Sequence, residues 1–268
     1  MMLLRFHGRT VWLAIVLSAS PFAVAAPKPA LAQTVAALDG VDDEAAARAA
    51  DALGDRTEPA AHEALLDLLA WGTSPVVAVE AIAALAKHPA PPDLAALRRY
   101  AGHHDPRVRA AVLAALASYP EPAARAAIAA GLRDLDADVR AKAADAAVRG
   151  HVKAAIEPLL ALLALGEEPA ARALAAMADP ELVRRIGDQL GNVPEPTLAL
   201  CLGLVLQRAD FGPDSERIEV VRALAKIKDR AADGALADYL RVTPKTPARA
   251  SRVEAEKLVQ ARAGGVSP

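Results

Sequence analysis

The densest set of side chains able to do chemistry is His103-His104-Asp105, three potential metal ligands in succession. A metal site needs three or four converging donors, and no other histidine recurs in register with these two. They read as histidines of an exposed inter-helix turn, with Asp105 free to cap the helix that follows. His62-Glu63 is the only His-Glu pair, and in the run HEALL the position of the second histidine of an HExxH zinc motif is taken by Leu66. His62 therefore reads as a residue of a polar helix face. Cys201 is the only cysteine. It excludes an intramolecular disulfide and, inside the apolar run LALCLGLVL, reads as a small core residue. Asp188, Asn192, Glu195 and Asp210 fall in the irregular stretch 179–215 and are the residues from which an unrepeated catalytic site could be built. No triad, phosphate loop or ligand cluster is visible, so the sequence predicts no enzyme, cofactor or metal.

The elements that must position these residues repeat. In HDPRVRAAVLAALA, residues 104–117, Asp105 can cap the first turn and Pro106 sits at the first helical position, where its missing N–H costs nothing. The predicted inward face is Val108, Val112, Ala115 and Leu116. Thirty-one residues upstream Ser74, Pro75 and Val77 hold the same places, and thirty-one downstream Asp136, Ala137 and Val139 do. With one residue inserted, Glu168, Pro169 and Ala171 follow. Arg109, Arg140 and Arg172 keep the register although a first helical turn is the wrong end of the macrodipole for a cation. The expected compensation is a structural ladder in which each arginine bonds an N-cap carboxylate of its own or the neighbouring unit, drawn from Asp105, Asp136 and Glu168.

A second column is stricter. Val35, Leu66, Leu97, Ile128, Leu159, Leu190 and Val221 stand thirty-one residues apart, each followed three residues later by Leu38, Leu69, Tyr100, Gly131, Leu162, Val193 and Leu224. All are apolar except Gly131, and an i, i+3 offset puts both columns on one helical face. Two columns with one period mean a repeated helix pair. So short a unit cannot bury its faces alone, and the pairs must stack. The prediction is an all-α, right-handed α-solenoid of antiparallel helix pairs with a period of about 31.

Composition agrees: hydrophobic residues are 54% but aromatics only 3% of 268 residues, so helices must pack closely through small side chains. At the N-terminus Arg5, His7 and Arg9 precede an apolar run from Val11 to Leu17 and the small-x-small pattern Ala23-Val24-Ala25. This reads as a secretory signal cleaved after Ala25, since the run is too short to span a bilayer as an anchor. The predicted organisation is a signal peptide over 1–25, a degenerate repeat over 26–57, regular repeats over 58–178, divergent repeats with a C-terminal cap over 179–262, and a frayed tail over 263–268.

The capped motif and the helix-turn-helix period together resemble HEAT repeats, and specifically the short HEAT-like class named after phycobilisome lyase subunits. The resemblance spans roughly residues 30–260 and is strongest over 58–178. It implies a scaffold that binds proteins along a curved surface. Enzymes of the wider family fit poorly. Deoxyhypusine hydroxylase needs several His-Glu pairs to hold two irons, and this chain has one. Chromophore lyases belong with phycobilisomes and would not be exported, and HEAT-like DNA glycosylases need a basic groove.

Charge is uneven. Without residues 1–25 the chain has 29 basic and 33 acidic residues, and only its last fifty-six, with 11 basic and 8 acidic, are mildly basic. That excess is small and lacks interleaved aromatics, so no nucleic-acid partner is expected. The functional expectation is an exported, periplasmic or secreted, bacterial scaffold binding a protein or peptide on the concave side built by the second helices. The exposed positions there are Arg107, Leu113, Asp138, Lys142 and Asp145, with Ala110 and Ala114. An enzyme centred on 179–215 and a purely structural envelope protein are the alternatives. No stable membrane span is expected after cleavage.

Overall fold

The computed structural model describes residues 30–263, so the expected signal peptide and residues 264–268 of the expected tail lie outside the described residues. Fifteen α-helices and no strand occur among the described residues. They run α1 Leu31–Ala36, α2 Asp43–Gly54, α3 Pro59–Trp71, α4 Pro75–Leu85, α5 Asp93–Tyr100, α6 Pro106–Leu116, α7 Pro122–Gly131 and α8 Ala137–Arg149. Then come α9 Ile156–Ala164, α10 Glu168–Met177, α11 Pro180–Gly187, α12 Glu195–Gln207, α13 Asp214–Lys226, α14 Arg230–Val242 and α15 Ala250–Ala263. Residue 263 thus ends a helix and does not belong to the tail.

The starts follow capping chemistry. Asp42, Asp105, Asp136, Asp179 and Asp229 each accept a first-turn amide, and proline occupies the first turn of α3, α4, α6, α7, α10, α11 and α12. Two expected caps fail. Ser74 precedes α4 without a side-chain cap bond, and the N-cap of α10 is Glu167, not Glu168. In the first pair the cap is Asp42.

Seven pairs stack in chain order with α15 closing the end. The second helices form one continuous row, α2 on α4, α4 on α6, and so on to α12 on α14, whereas the first helices touch each other sparingly until α13 meets α15. The row with closer neighbours lies inside the curve, so the second helices line the concave side. Small residues permit that closeness: a β-carbon on Gly54 of α2 would lie 2.7 Å from Ala84 Cβ of α4, and one on Gly203 of α12 would lie 2.8 Å from Ala235 Cβ of α14.

The apolar columns are mostly core. Leu97, Ile128, Leu159 and Val221 are buried, as are Leu38, Leu69, Tyr100, Leu162, Val193 and Leu224. Val35, Leu66 and Leu190 are only partly buried. In α3 the buried face is shifted by one residue to Ala61, Leu65 and Leu69. Leu190 falls beyond the end of α11 at Gly187. The exception in the second column has a cause, because a β-carbon on Gly131 would stand 2.6 Å from Leu113 Cδ1. The missing side chain is the socket for Leu113. At the far end Ser251 joins Tyr239 and Asp214 in a buried hydrogen-bond cluster, and Arg252 donates to the carbonyls of Leu240 and Thr243. No described helix is long and apolar enough to cross a membrane.

Candidate functional site: the concave groove and the arginine ladder

A groove crosses the second helices of three successive units. Its floor is Val79 of α4 and Ala110, Ala111 and Ala114 of α6, and its far wall is Ala141 of α8. Arg107, Asp138, Lys142 and Asp145 stand along its rims, and the space encloses about 560 Å³. Because α8 presents positions 138, 142 and 145 on one face, three ions face an aliphatic floor. None of the three takes part in an ion pair among the described residues, whereas Arg107 is bound to Asp105 at 2.7 Å. The structure therefore assembles four of the five expected partner-binding residues. Leu113 is the correction: it is buried, seated on Gly131, because its position on α6 faces the first helix of the next unit and not the groove.

The expected ladder exists with different acceptors. Arg109 Nε and Nη2 donate to Asp134 at 2.8 and 2.7 Å, while Nη1 donates to the carbonyls of His103 and His104 at 2.9 and 3.1 Å. Arg140 repeats the geometry one unit later: Nε and Nη2 reach Glu167 at 2.9 and 2.6 Å, and Nη1 reaches the carbonyls of Asp134 and Leu135 at 2.9 and 3.1 Å. Asp105 and Asp136 are not rungs, since Asp105 is taken by the Arg107 amide and guanidinium and Asp136 by the first amides of α8. Arg172 meets its expected partner Glu168 at 3.2 Å, but as an exposed pair within α10 that links no neighbouring unit. The cation at the unfavourable end of its own helix is thus compensated by the turn's carbonyls and the next unit's carboxylate. The same use of a first-turn arginine recurs at Arg217, which is buried and donates to the carbonyls of Leu206, Arg208 and Ala209.

Arg109→Ala should lower stability by about 1.5 kcal/mol, moving the melting temperature down by roughly 4 °C, and an unchanged melt would show the rungs to be idle. Acid should act on the same edge. The Arg107 guanidinium holds Asp105 down at about 2, and Arg109 lowers Asp134. Carboxylates lowered in the folded state contribute stability above their ordinary range and lose it as pH falls through the folded value. The part owed to Asp105 should accordingly disappear between about 3.8 and about 2.

One cluster was missed. Asp93, fully buried at the first position of α5, accepts from the Tyr119 hydroxyl at 2.7 Å and the Ala90 amide at 2.8 Å, and its Oδ1 lies 2.6 Å from His62 Nε2. His62 is consequently half-buried and tied to the next unit, not a free polar-face residue. Burial and the Asp93 carboxylate push the Tyr119 hydroxyl up. A signal was present, for His62 and Asp93 are thirty-one residues apart, as are Tyr100 and the Leu69 carbonyl it bonds. Of the turn histidines only His104 is exposed as expected; His103 is partly buried, stacks on Tyr100, lies tilted against His104 and accepts from the Asp105 amide. Cys201 is buried in α12, which pushes its thiol up to about 12. In the irregular region Asp210 pairs with Arg208, and Glu195 accepts from the amides of Lys228 and Asp229 at the start of α14. No group of three or more metal-ligating side chains occurs among the described residues.

Stacked helix pairs with a lined concave row define the class as an α-solenoid. Residues 63–148 match the family of HEAT repeats, about a third of the chain. The matched residues are thus built of HEAT-like repeats. Among solved structures it is similar to the complex of CpcE and CpcF of phycocyanin lyase from Nostoc sp. PCC7120, with 19% identity, 89% of this chain and 97% of that chain covered, and a TM-score of 0.48. It is similar also to a mutant of Kap121p, with 14% identity, 85% of this chain but 28% of that chain covered, and a TM-score of 0.51. An engineered protein aligns at 23% identity over 88% of this chain and 72% of that chain, TM-score 0.44. At 14% identity the likeness to Kap121p is one of fold. The chain matches none of the curated proteins.

Proposed function

We propose that this chain is an exported scaffold that binds a protein or peptide in the concave groove over α4, α6 and α8 and carries out no reaction of its own. The observation that carries the reading is the set of unpaired ions, Asp138, Lys142 and Asp145, held over the alanine floor of α6. Exposed charges without partners contribute little to a fold. Set around an apolar depression they match what recognition needs, a desolvated centre with a polar rim. The solenoid fold suits this task because each unit adds surface without disturbing its neighbours. Against a catalytic centre in 179–215, Glu195 and Asp210 are already engaged in the contacts that hold α14 and the turn after α12.

Photo-crosslinking tests the reading. A photoreactive residue at Ala114 should capture a defined protein in the native cell envelope, and one at exposed Ala161 of α9 should not. Lys142→Glu with Asp145→Lys should reduce the Ala114 product at least about tenfold, the loss of more than one rim contact. Equal capture from both sites, or capture indifferent to the charge reversal, would defeat the groove as the binding surface.

A further inference from the structure

The groove is built from three helices in one register. α4, α6 and α8 begin at Pro75, Pro106 and Ala137, thirty-one residues apart. Each therefore turns a stripe of spacing i, i+3, i+4, i+7 toward the concave side. On α4 the stripe starts with Val76, 46% exposed, and continues with Val79 on the floor of the groove. Beyond Arg107, which is held by Asp105, the α6 stripe is only the methyl groups of Ala110, Ala111 and Ala114. On α8 it carries Asp138, Lys142 and Asp145. Glu80, the one ion of the α4 stripe, does not line the groove. The groove thus has one aliphatic wall, a shallow floor and one ionic wall. On the ionic wall Lys142 stands between two carboxylates, four residues after Asp138 and three before Asp145.

Resting on the reading of the groove as a binding surface, we propose that its occupant is an amphipathic α-helix of a partner protein, lying along α6. Its apolar flank meets Val76 and Val79, and small side chains meet the alanine floor. Its other flank carries ions in the order basic, acidic, basic opposite Asp138, Lys142 and Asp145. The floor decides the conformation. As a helix, α6 spends its amides and carbonyls internally, and the Ala114 carbonyl also accepts from Arg149 at 3.1 Å. An extended segment would lay main-chain N–H and C=O groups on methyl groups, where each goes unpaired at a cost. A helix satisfies those groups itself, and the alanines let its axis come to about 8 Å from that of α6. The ionic wall decides the sequence. From Asp138 to Asp145 α8 rises about 10 Å, so the contact spans two turns of the occupant. Like charges set opposite one another are strongly rejected, so the order of signs on α8 fixes the order on the helix that faces it. Two carboxylates against one ammonium also turn away polyanions.

Two dye-labelled peptides of identical composition, alanine-rich and stapled as helices, test this with the full chain by fluorescence anisotropy. One carries Lys, Glu and Lys at intervals of four and three residues, the other Lys, Lys and Glu at the same positions, and each is made for both chain directions. The native chain should bind the first at least about tenfold more tightly. Lys142→Glu with Asp145→Lys, at exposed positions where the melting temperature should stay unaltered, should invert the preference. The first sequence without its staple and with a central proline cannot stay helical, and should bind at least about tenfold more weakly. The proposal is overturned if the proline peptide binds as well as the stapled one, which would mark an extended occupant. It is overturned too if the native chain does not distinguish the two orders, or if the double variant keeps the native preference. If no peptide binds while the photoreactive residue at Ala114 still captures a protein, the groove stands as a binding surface and the helical occupant falls. If that capture is lost as well, both fall. Release of bound peptide as the concentration of the chain rises would place a second copy in the groove and equally overturn the proposal.

Discussion

Asp93→Ala should cost about 3 kcal/mol, the range for breaking a buried charged network by removing one partner. The carboxylate joins two units and their outer turns: His62 comes from α3, the Ala90 amide from the turn before α5, and the Tyr119 hydroxyl from the turn after α6. Removing it strands a buried hydroxyl and an amide while opening a polar void. Local opening should concentrate there, so amide exchange in α3 to α6 should quicken before that of α12 to α14. Asp93→Asn keeps one acceptor oxygen and should fall between the two. A melting temperature within 2 °C of the parent in the alanine variant would contradict the assignment, since about 8 °C is expected.

Gly54→Ala should destabilise the chain by about 2 kcal/mol, the reverse of the usual gain of about 1 kcal/mol when glycine inside a helix becomes alanine. The new β-carbon would stand 2.7 Å from Ala84 Cβ and 2.8 Å from Ala84 Cα, atoms that cannot rotate away. Only separation of α2 from α4 relieves the contact. Gly234→Ala in α14 supplies the control, because nothing lies within 4 Å of its β-carbon and the normal gain should appear there. Opposite signs in denaturant midpoints are expected, and equal gains would mean that the second helices are not in close contact at Gly54.

Helix starts were legible because proline and aspartate mark them chemically, as Asp105 with Pro106 does at α6 and Asp136 at α8. Which acid receives each arginine was not legible. Asp134 and Asp136 are two residues apart and both lie within an arginine's reach, so only the path of the turn decides that Asp134 takes Arg109 while Asp136 caps α8. Leu113 was misread for a related reason. Its partner is the missing side chain of Gly131, which shows in the column as a gap without showing which side chain fills it. Asp93 was legible in principle, since its offset from His62 equals the period, but a carboxylate at a first helical turn looks like ordinary capping chemistry.

The unequal spacing of the two helix rows has a mechanical consequence. The tightly apposed inner row resists compression, while the outer side leaves clefts such as that of about 460 Å³ between the turn after α7 and α9. The molecule should therefore behave as a leaf spring whose neutral axis runs near the inner helices. Flexing should open or shut the outer clefts at small energetic cost, and occupancy of the concave side should register as a change in radius of gyration while helicity stays constant.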